Sequence, residues 1–183
     1  MDSTLISIET IDEIAKAVGM SNEVAEITEQ TMQGNLDFTE SFKQRISILS
    51  GVNISSFETV YDNHLQLSHG VPELIKSFKS LGIKSAIISG GLVYFAERLK
   101  NQLGLDAFQA NNVEIDNNCL TGKVLGKVID AKEKANYIYE LCELYQLKRE
   151  QVIAIGDGAN DLEMMKIAGI SVAYRAKPVL QKT

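Results

Sequence analysis

Residues 152–161 read VIAIGDGAND. Val152 to Ile155 form a short apolar run, Gly156 and Gly158 interrupt it, and a helical pattern begins near Ala159. A strand that gives way to a helix through glycine is the repeating unit of a parallel α/β sheet. The unit recurs at residues 83–103, where IKSAIIS is followed by Gly90-Gly91 and then by a helix running to Leu103. ISVAY, residues 170–174, reads as a further strand. Alternating strands and helices imply right-handed crossovers and a Rossmann-like parallel sheet. Between these units, NNVEIDNNCLTGKVLGKVID (residues 111–130) reads as a hairpin turning at Asp116-Asn117-Asn118. Val71-Pro72-Glu73 starts a helix with proline in its first turn, and Gly82 ends it.

Upstream the period changes. Ile11, Ile14, Ala15 and Val18 recur on one helical face, with Gly19 as a stop. Ser21 or Asn22 caps a second helix carrying Val24 and Ile27 and ending near Gly34. Asp37 or Thr39 opens a third, with Phe42, Ile46 and Leu49 inward, and Ser55 or Ser56 a fourth, with Val60 and Leu65. None of this stretch reads as a strand. The plan is therefore an α/β core made of residues 1–9 and 70–183, with residues 10–69 inserted as a helical cap that covers the site as a lid.

The bulk composition narrows the function classes. The 183 residues are 45% hydrophobic and 23% charged, which supports one soluble core with an inserted module. A formal net charge of −6 argues against non-specific nucleic-acid binding, though one lysine in a polarised pocket still serves an anionic ligand. Cys119 and Cys142 match no metal spacing and read as reduced thiols. No apolar run reaches about 18 residues, so no membrane span is expected. No basic-then-apolar leader precedes the helices, so the expected location is cytoplasmic.

In parallel α/β sheets ligands bind beyond the carboxyl ends of strands. Three polar or glycine clusters fall there. Asp157, Gly158, Asn160 and Asp161 follow one strand, and Ser89, Gly90 and Gly91 another. Asp2, Ser3 and Thr4 have the same chemistry but no strand in front of them. Asp157 and Asp161, four apart, can bring two carboxylates near one point, and oxygen-only ligands with room for water suit Mg²⁺. The plainer reading is a strand-to-helix turn with Asp as its cap. Ser89-Gly90-Gly91 offers a hydroxyl and backbone N–H groups to a phosphate, or is only a glycine turn. Asp2-Ser3-Thr4 could cap a helix, but the helical pattern begins later. Lys134 and Lys132 are equal candidates to reach a phosphate as a point charge. His64 and His69 fit the surface or turns, and Tyr137, Tyr139 and Tyr145 fit helix packing.

These pieces in this order resemble the haloacid dehalogenase superfamily, and within it the phosphoserine phosphatase family. The matching stretches are MDSTLISIETIDEIAKAVG, GNLDFTESFKQRISIL, IISGG, AKEKA and GDGANDLEMMKIAG, which together span nearly the whole chain. The resemblance implies hydrolysis of O-phospho-L-serine, a small-molecule substrate, to L-serine and phosphate through an aspartyl phosphate, the last step of serine biosynthesis. It gives Asp2 the role of general acid and base, with Thr4 as the threonine of the Asp-x-Asp-x-Thr signature. It assigns Ser89, Gly90, Lys134 and Asn160 to the phosphoryl oxygens and favours Lys134 over Lys132. It makes Asp157 and the Asp2 carbonyl ligands of Mg²⁺, with Asp161 as a supporting acid. Glu9 and Arg45 correspond to the groups that hold the serine ammonium and carboxylate, and Phe38 and Met32 to apolar lining under the lid. The family's nucleophile is expected immediately before Met1, and its first, central strand is also missing here. The chain thus reads as truncated at both ends and inactive as it stands. The alternatives are a silent module that binds Mg²⁺ and phospho-ligands, or a phosphatase or phosphotransferase for another small phosphomonoester.

Overall fold

The computed structural model describes residues 1–32 and 35–181, apart from the side chains of Met32, Val179 and Gln181. Helix α1 spans Thr10–Ala17 and buries Ile11, Ile14 and Ala15, as the spacing requires. Gly19 follows it at φ +76°, a left-handed stop. Helix α2 spans Ser21–Met32; the end expected near Gly34 lies outside the described residues. Helix α3, Phe38–Ile48, starts where the Asp37 carboxylate accepts the Glu40 N–H at 2.8 Å. Helix α4, Ser55–Thr59, continues into a wider π-type turn at Val60–His64.

The α/β part follows. Helix α5 spans Val71–Ser80, strand β1 Ala86–Leu92 and helix α6 Val93–Leu103. The strand does not stop at the glycine pair: β1 runs through Gly90 and Gly91, and its register with its neighbour shifts between Ile88 and Leu92. Strands β2, Ala107–Asp116, and β3, Cys119–Leu125, form the expected hairpin. Its two turn residues, Asn117 and Asn118, both have positive φ, 48° and 61°, which matches the right-handed twist of the strands. Helix α7, Ala131–Tyr145, is capped by Asp130, whose carboxylate accepts the Glu133 N–H at 2.9 Å. Strand β4 (Ile153–Gly156), helix α8 (Leu162–Ile167), strand β5 (Ile170–Ala173) and helix α9 (Pro178–Gln181) complete the order.

β1 pairs parallel with β2, β4 pairs parallel with β5, and β2 pairs antiparallel with β3. The described strands form two sheets, β1-β2-β3 and β4-β5, with β1 and β4 each paired on one side only. Three apolar clusters hold these layers together. The largest joins Phe42, Ile46, Leu49 and Phe57 of the helices to Val113 and Leu120 of the hairpin. The hairpin thus leaves the α/β layer and packs on α3, a contact made rigid by Gly51 N–H to Leu120 carbonyl and Leu120 N–H to Val52 carbonyl, at 2.8 and 2.9 Å. A second cluster sets Ile6 against Val71, Ile75, Ile87 and Leu99, and a third packs α7 and α8 on β4. The chain enters and leaves the helical module side by side, with Ile6 bridged to Leu67 and Ser68 N–H donating to the Leu5 carbonyl at 2.9 Å. Both cysteines are free. Among the described residues, no helix is long and apolar enough to cross a membrane.

Candidate active site

The chain begins with a tight loop. The Met1 carbonyl accepts N–H bonds from Thr4, Leu5 and Ile6, and Ser3 sits at φ +53°, an uncommon conformation for a residue with a Cβ. The turn sends the three polar side chains of the loop in different directions. Asp2 Oδ2 accepts both the Thr10 N–H (3.0 Å) and the Thr10 hydroxyl (2.8 Å). Ser3 donates its hydroxyl to Glu9 at 2.6 Å, and Thr4 donates to Asp157 Oδ1 at 2.9 Å. Thr10 is the first residue of α1, so Asp2 satisfies one of that helix's free N–H groups from outside, while the cap position itself is held by Glu9. Asp2 Oδ1 is buried without a partner. Burial raises the Asp2 carboxyl above the usual range, against the lowering effect of the Met1 ammonium and the two Thr10 donors. One oxygen held and the other free and protonatable is the arrangement a general acid needs.

Asp161 is the opposite case. Its Oδ1 accepts from the Lys134 ammonium at 2.8 Å, and its Oδ2 accepts the N–H groups of Asp157 and Gly158 at 3.0 and 3.3 Å. Burial pushes this carboxyl up, but the adjacent Lys134 ammonium and the N–H donors outweigh it and hold it below the usual range. Both partners of the ion pair are almost fully enclosed. The glycine before Asp157 is required by this packing: a Cβ on Gly156 would lie 2.5 Å from the Asp161 Cβ. Lys134 is buried at the first turns of α7 whereas Lys132 is exposed, so the structure separates two candidates that the sequence leaves equal. Asn160 packs beside Gly158, its Oδ1 2.7 Å from where a Cβ would stand.

Ser89 is buried on β1 and accepts the Gly91 N–H at 2.9 Å. Phe38, at the start of α3, lies directly on Gly90: a Cβ there would meet the ring at 2.6 Å. Its ring also stacks at 6.3 Å on Phe42, so the helical module touches the glycine pair through an aromatic anchored in its own core. The Met32 side chain lies outside the described residues.

The rim on the helical side is charged, with Glu9 held by the Ser3 hydroxyl and Arg45 without a carboxylate hydrogen-bonded to it among the described residues. Arg45 Nε is buried with no hydrogen-bond partner. Burial lowers the Arg45 guanidinium, opposed by the charges of Asp12, Glu9 and Asp2 around it. Glu9 and Asp12 are in turn raised, in both cases chiefly by partial desolvation from the surrounding protein, although both residues remain exposed. Lys177, whose backbone N–H donates to the Asp157 carbonyl at 2.8 Å, adds a positive charge near both acids.

The sequence reading missed Thr10, Asp12, Lys177 and Asn111. Thr10 had one visible signal, a hydroxyl at the first position of a helix. Asn111 had another, an amide in a strand, where Asn is disfavoured. Its Nδ2 donates to the Gly90 carbonyl at 2.8 Å and its Oδ1 accepts the Ile129 N–H at 2.7 Å. The cation on Asp161 is Lys134, which leaves Asp157 as the acid with an uncommitted oxygen. Among the described residues, no three or more His, Cys, Asp or Glu side chains converge as a metal cluster. One carboxylate with an uncommitted oxygen fits a small hard cation that keeps several waters.

Acids, a buried lysine and a serine followed by two glycines thus gather at the ends of parallel strands. Residues 1–169 match the family model of haloacid dehalogenase-like hydrolases, and the chain belongs to that family. It is 43% identical over 181 residues to the phosphoserine phosphatase of Archaeoglobus fulgidus, covering 99% of this chain and 52% of that protein. A haloacid dehalogenase family hydrolase from Salmonella enterica serovar Typhi matches with a TM-score of 0.97 and 42% identity, over 100% of this chain and 63% of that one. A substrate-bound phosphoserine phosphatase complex matches with a TM-score of 0.92 and 37% identity, over 100% of this chain and 86% of that one. The chain thus spans about half of the Archaeoglobus protein's length and less than two thirds of the Salmonella protein's.

Proposed function

We propose that the protein hydrolyses O-phospho-L-serine to L-serine and phosphate, as the names of its relatives suggest, and that it acts at the end of serine biosynthesis. The observation that carries this reading is Arg45, half-buried near Glu9 and Asp12 with its Nε buried and unpartnered. A buried N–H without a hydrogen-bond partner is costly unless a ligand supplies one. An α-carboxylate fits its fork, and an ammonium fits Glu9.

In this reading the phosphoryl group lies at the opposite end. Ser89, Gly90, Asn160 and Lys134 take the phosphoryl oxygens, and Asp161 holds Lys134 in place. Mg²⁺, when bound by Asp157 and the Asp2 carbonyl, would neutralise charge that develops on those oxygens. The attacking carboxylate is assigned to the first Asp of the family's Asp-x-Asp-x-Thr signature, whose later positions correspond to Asp2 and Thr4. The carboxylate oxygen forms a bond to phosphorus as the bond from phosphorus to the serine oxygen breaks. Asp2 Oδ1 gives its proton to that oxygen. Asp2 then takes a proton from the water that attacks phosphorus, which frees phosphate and regenerates the carboxylate. Residues 10–69 act as a lid, closed by Phe38 on Gly90.

The test uses the protein made from its complete reading frame. Phosphate release is measured with L-phosphoserine, phosphoethanolamine and p-nitrophenyl phosphate, with and without Mg²⁺. Mg²⁺-dependent release that strongly favours phosphoserine is expected. Equal or better turnover of phosphoethanolamine, which has no carboxylate for Arg45, would remove the amino-acid assignment.

A further inference from the structure

We propose that Asn111 is a positioning residue for phosphoryl transfer, fixing the direction in which the Ser89 hydroxyl offers its proton. The inference rests on the phosphatase reading above. Asn111 stands on β2 and is 1% exposed, so both ends of its amide need partners inside the protein. Those partners lie on different elements, the Gly90 carbonyl on β1 and the Ile129 N–H just before α7.

The Gly90 carbonyl and the Gly91 N–H belong to one planar peptide unit. Asn111 holds its carbonyl end, and the N–H at its other end donates to Ser89 Oγ at 2.9 Å. With both ends held, the plane cannot turn. A serine hydroxyl has one proton and two lone pairs. Because the Gly91 N–H occupies a lone pair, the proton must point away from that bond. A Cβ on Gly91 would lie 3.2 Å from Ser89 Oγ and 3.4 Å from Asp2 Oδ2, so the hydroxyl and the acid/base flank one point. Asn111 therefore leaves the Ser89 proton free for a phosphoryl oxygen beside Asp2.

The other end of the amide reaches the lysine. Ile129 precedes Asp130, the cap of α7, and the Lys134 N–H donates to the Asp130 carbonyl at 3.0 Å one turn later. The Tyr137 hydroxyl adds a second tie from α7 to β2, through the Phe108 carbonyl at 3.1 Å. One buried amide thus sets the position of the hydroxyl relative to the helix that carries the ammonium. A displacement of about 1 Å between such groups costs on the order of 100-fold in rate.

Two variants of the complete protein test this. Asn111→Asp keeps an acceptor for the Ile129 N–H but turns an oxygen toward the Gly90 carbonyl. Asn111→Ser removes both bonds without adding bulk. With either, kcat for phosphoserine should fall on the order of 10- to 100-fold. Inhibition by inorganic phosphate should weaken about tenfold, since the same donors hold it. Inhibition by L-serine should stay within about twofold, because Glu9 and Arg45 are untouched. In a Ser89→Ala background most of the kcat loss should disappear, since the hydroxyl that Asn111 orients is gone. A purely structural role predicts additive losses and parallel weakening of phosphate and serine inhibition, and either result overturns the proposal. So does failure of both variants to fold. Should the unaltered protein release no phosphate from phosphoserine, the functional reading fails. Calorimetric titration with inorganic phosphate then still tests Asn111: equal affinity in the folded variants overturns the proposal, and weaker affinity supports it.

Discussion

The two ends of the site are built on opposite principles. At the strand ends, Lys134 and Asp161 are buried and paired, Asp161 also accepts the Asp157 and Gly158 N–H groups, and Ser89 is bonded separately to Gly91 on β1, all by hydrogen bonds of 2.8–3.3 Å. On the helical side, Arg45 Nε has no partner, and Glu9 and Asp12 sit above their usual carboxyl range. The first end pairs its lysine with a carboxylate inside the protein; the second leaves the Nε of its arginine for a ligand. That contrast suits a reaction in which charge develops on phosphorus-bound oxygens while the rest of the substrate is only recognised. Groups that stabilise a transition state gain from being fixed beforehand, and groups that select a ligand gain from lacking internal partners.

The largest effect should come from breaking the paired end. Lys134→Met removes the cation from a buried pair and strands Asp161. Stability should fall by about 3–5 kcal/mol, because the remaining carboxylate loses its compensation. Turnover of phosphoserine should fall by a factor on the order of 10³. Urea titration with parallel kinetics checks both, and a turnover loss without a stability loss would show that the pair is not the keystone of this end. Arg45→Ala comes next and should behave differently. With no hydrogen bond lost, stability should hold within about 1 kcal/mol or improve. KM for phosphoserine should rise about 10- to 100-fold with little change in kcat, the pattern of a group that binds ground and transition states alike. An unchanged KM would break the comparison, since Arg45 would then not be waiting for a ligand.

The sequence carried the two ends unequally. The strand–glycine–helix repeats around Gly90 and Gly156, and the Asn117-Asn118 turn, are local devices whose backbone demands show in the residues themselves. The buried position of Lys134 did not show, because a lysine at the start of a helix reads as solvated until its partner, 27 residues away, is brought beside it. Asn111 was hidden for the same reason: its bonds span 21 and 18 residues, and their meaning lies in the tertiary arrangement. The strand continuing through Gly90-Gly91 was missed because glycine reads as a break; here it makes room for Phe38. Family resemblance supplied the roles of Glu9 and Arg45, which no local pattern distinguishes from surface charges.

The carboxyls of the site should also titrate with opposite signs, Asp161 against Asp2, Glu9 and Asp12. Asp161 has a depressed pKa in the folded protein. Its contribution is fully present above its unfolded value of about 3.9 and is lost as pH falls through the folded value. Asp2, Glu9 and Asp12 are raised, so they bind protons more tightly when folded. They cost stability as pH rises from about 4 through their folded values. Melting temperature without ligand should therefore climb as pH falls through the raised folded values toward about 4 and decline below that. Saturating L-serine, whose ammonium gives Glu9 a partner, should flatten the climb and leave the decline. A profile that falls steadily from neutral pH, with or without serine, would mean that the raised group of acids is absent.

The smallest effect tests whether the arginine end is open by design. Asp12, on the first turn of α1, is exposed, yet its charge acts on both Arg45 and Lys177. No described hydrogen bond joins Asp12 to Arg45, so its influence is through charge and is screened by water. Two outcomes can be told apart by sign. As a competitor for the guanidinium, Asp12 weakens the grip on a substrate carboxylate, and Asp12→Asn should lower KM for phosphoserine about two- to threefold. As a tether that aims the guanidinium, it helps binding, and the same substitution should raise KM. The missing hydrogen bond favours competition, so a lowered KM with kcat unchanged is expected. The effect should shrink further in 0.5 M salt, about where screening reduces exposed charge pairs to a few ångströms' reach. A raised KM would mean that even the open end is held in advance, and the contrast between the two ends would then be one of degree.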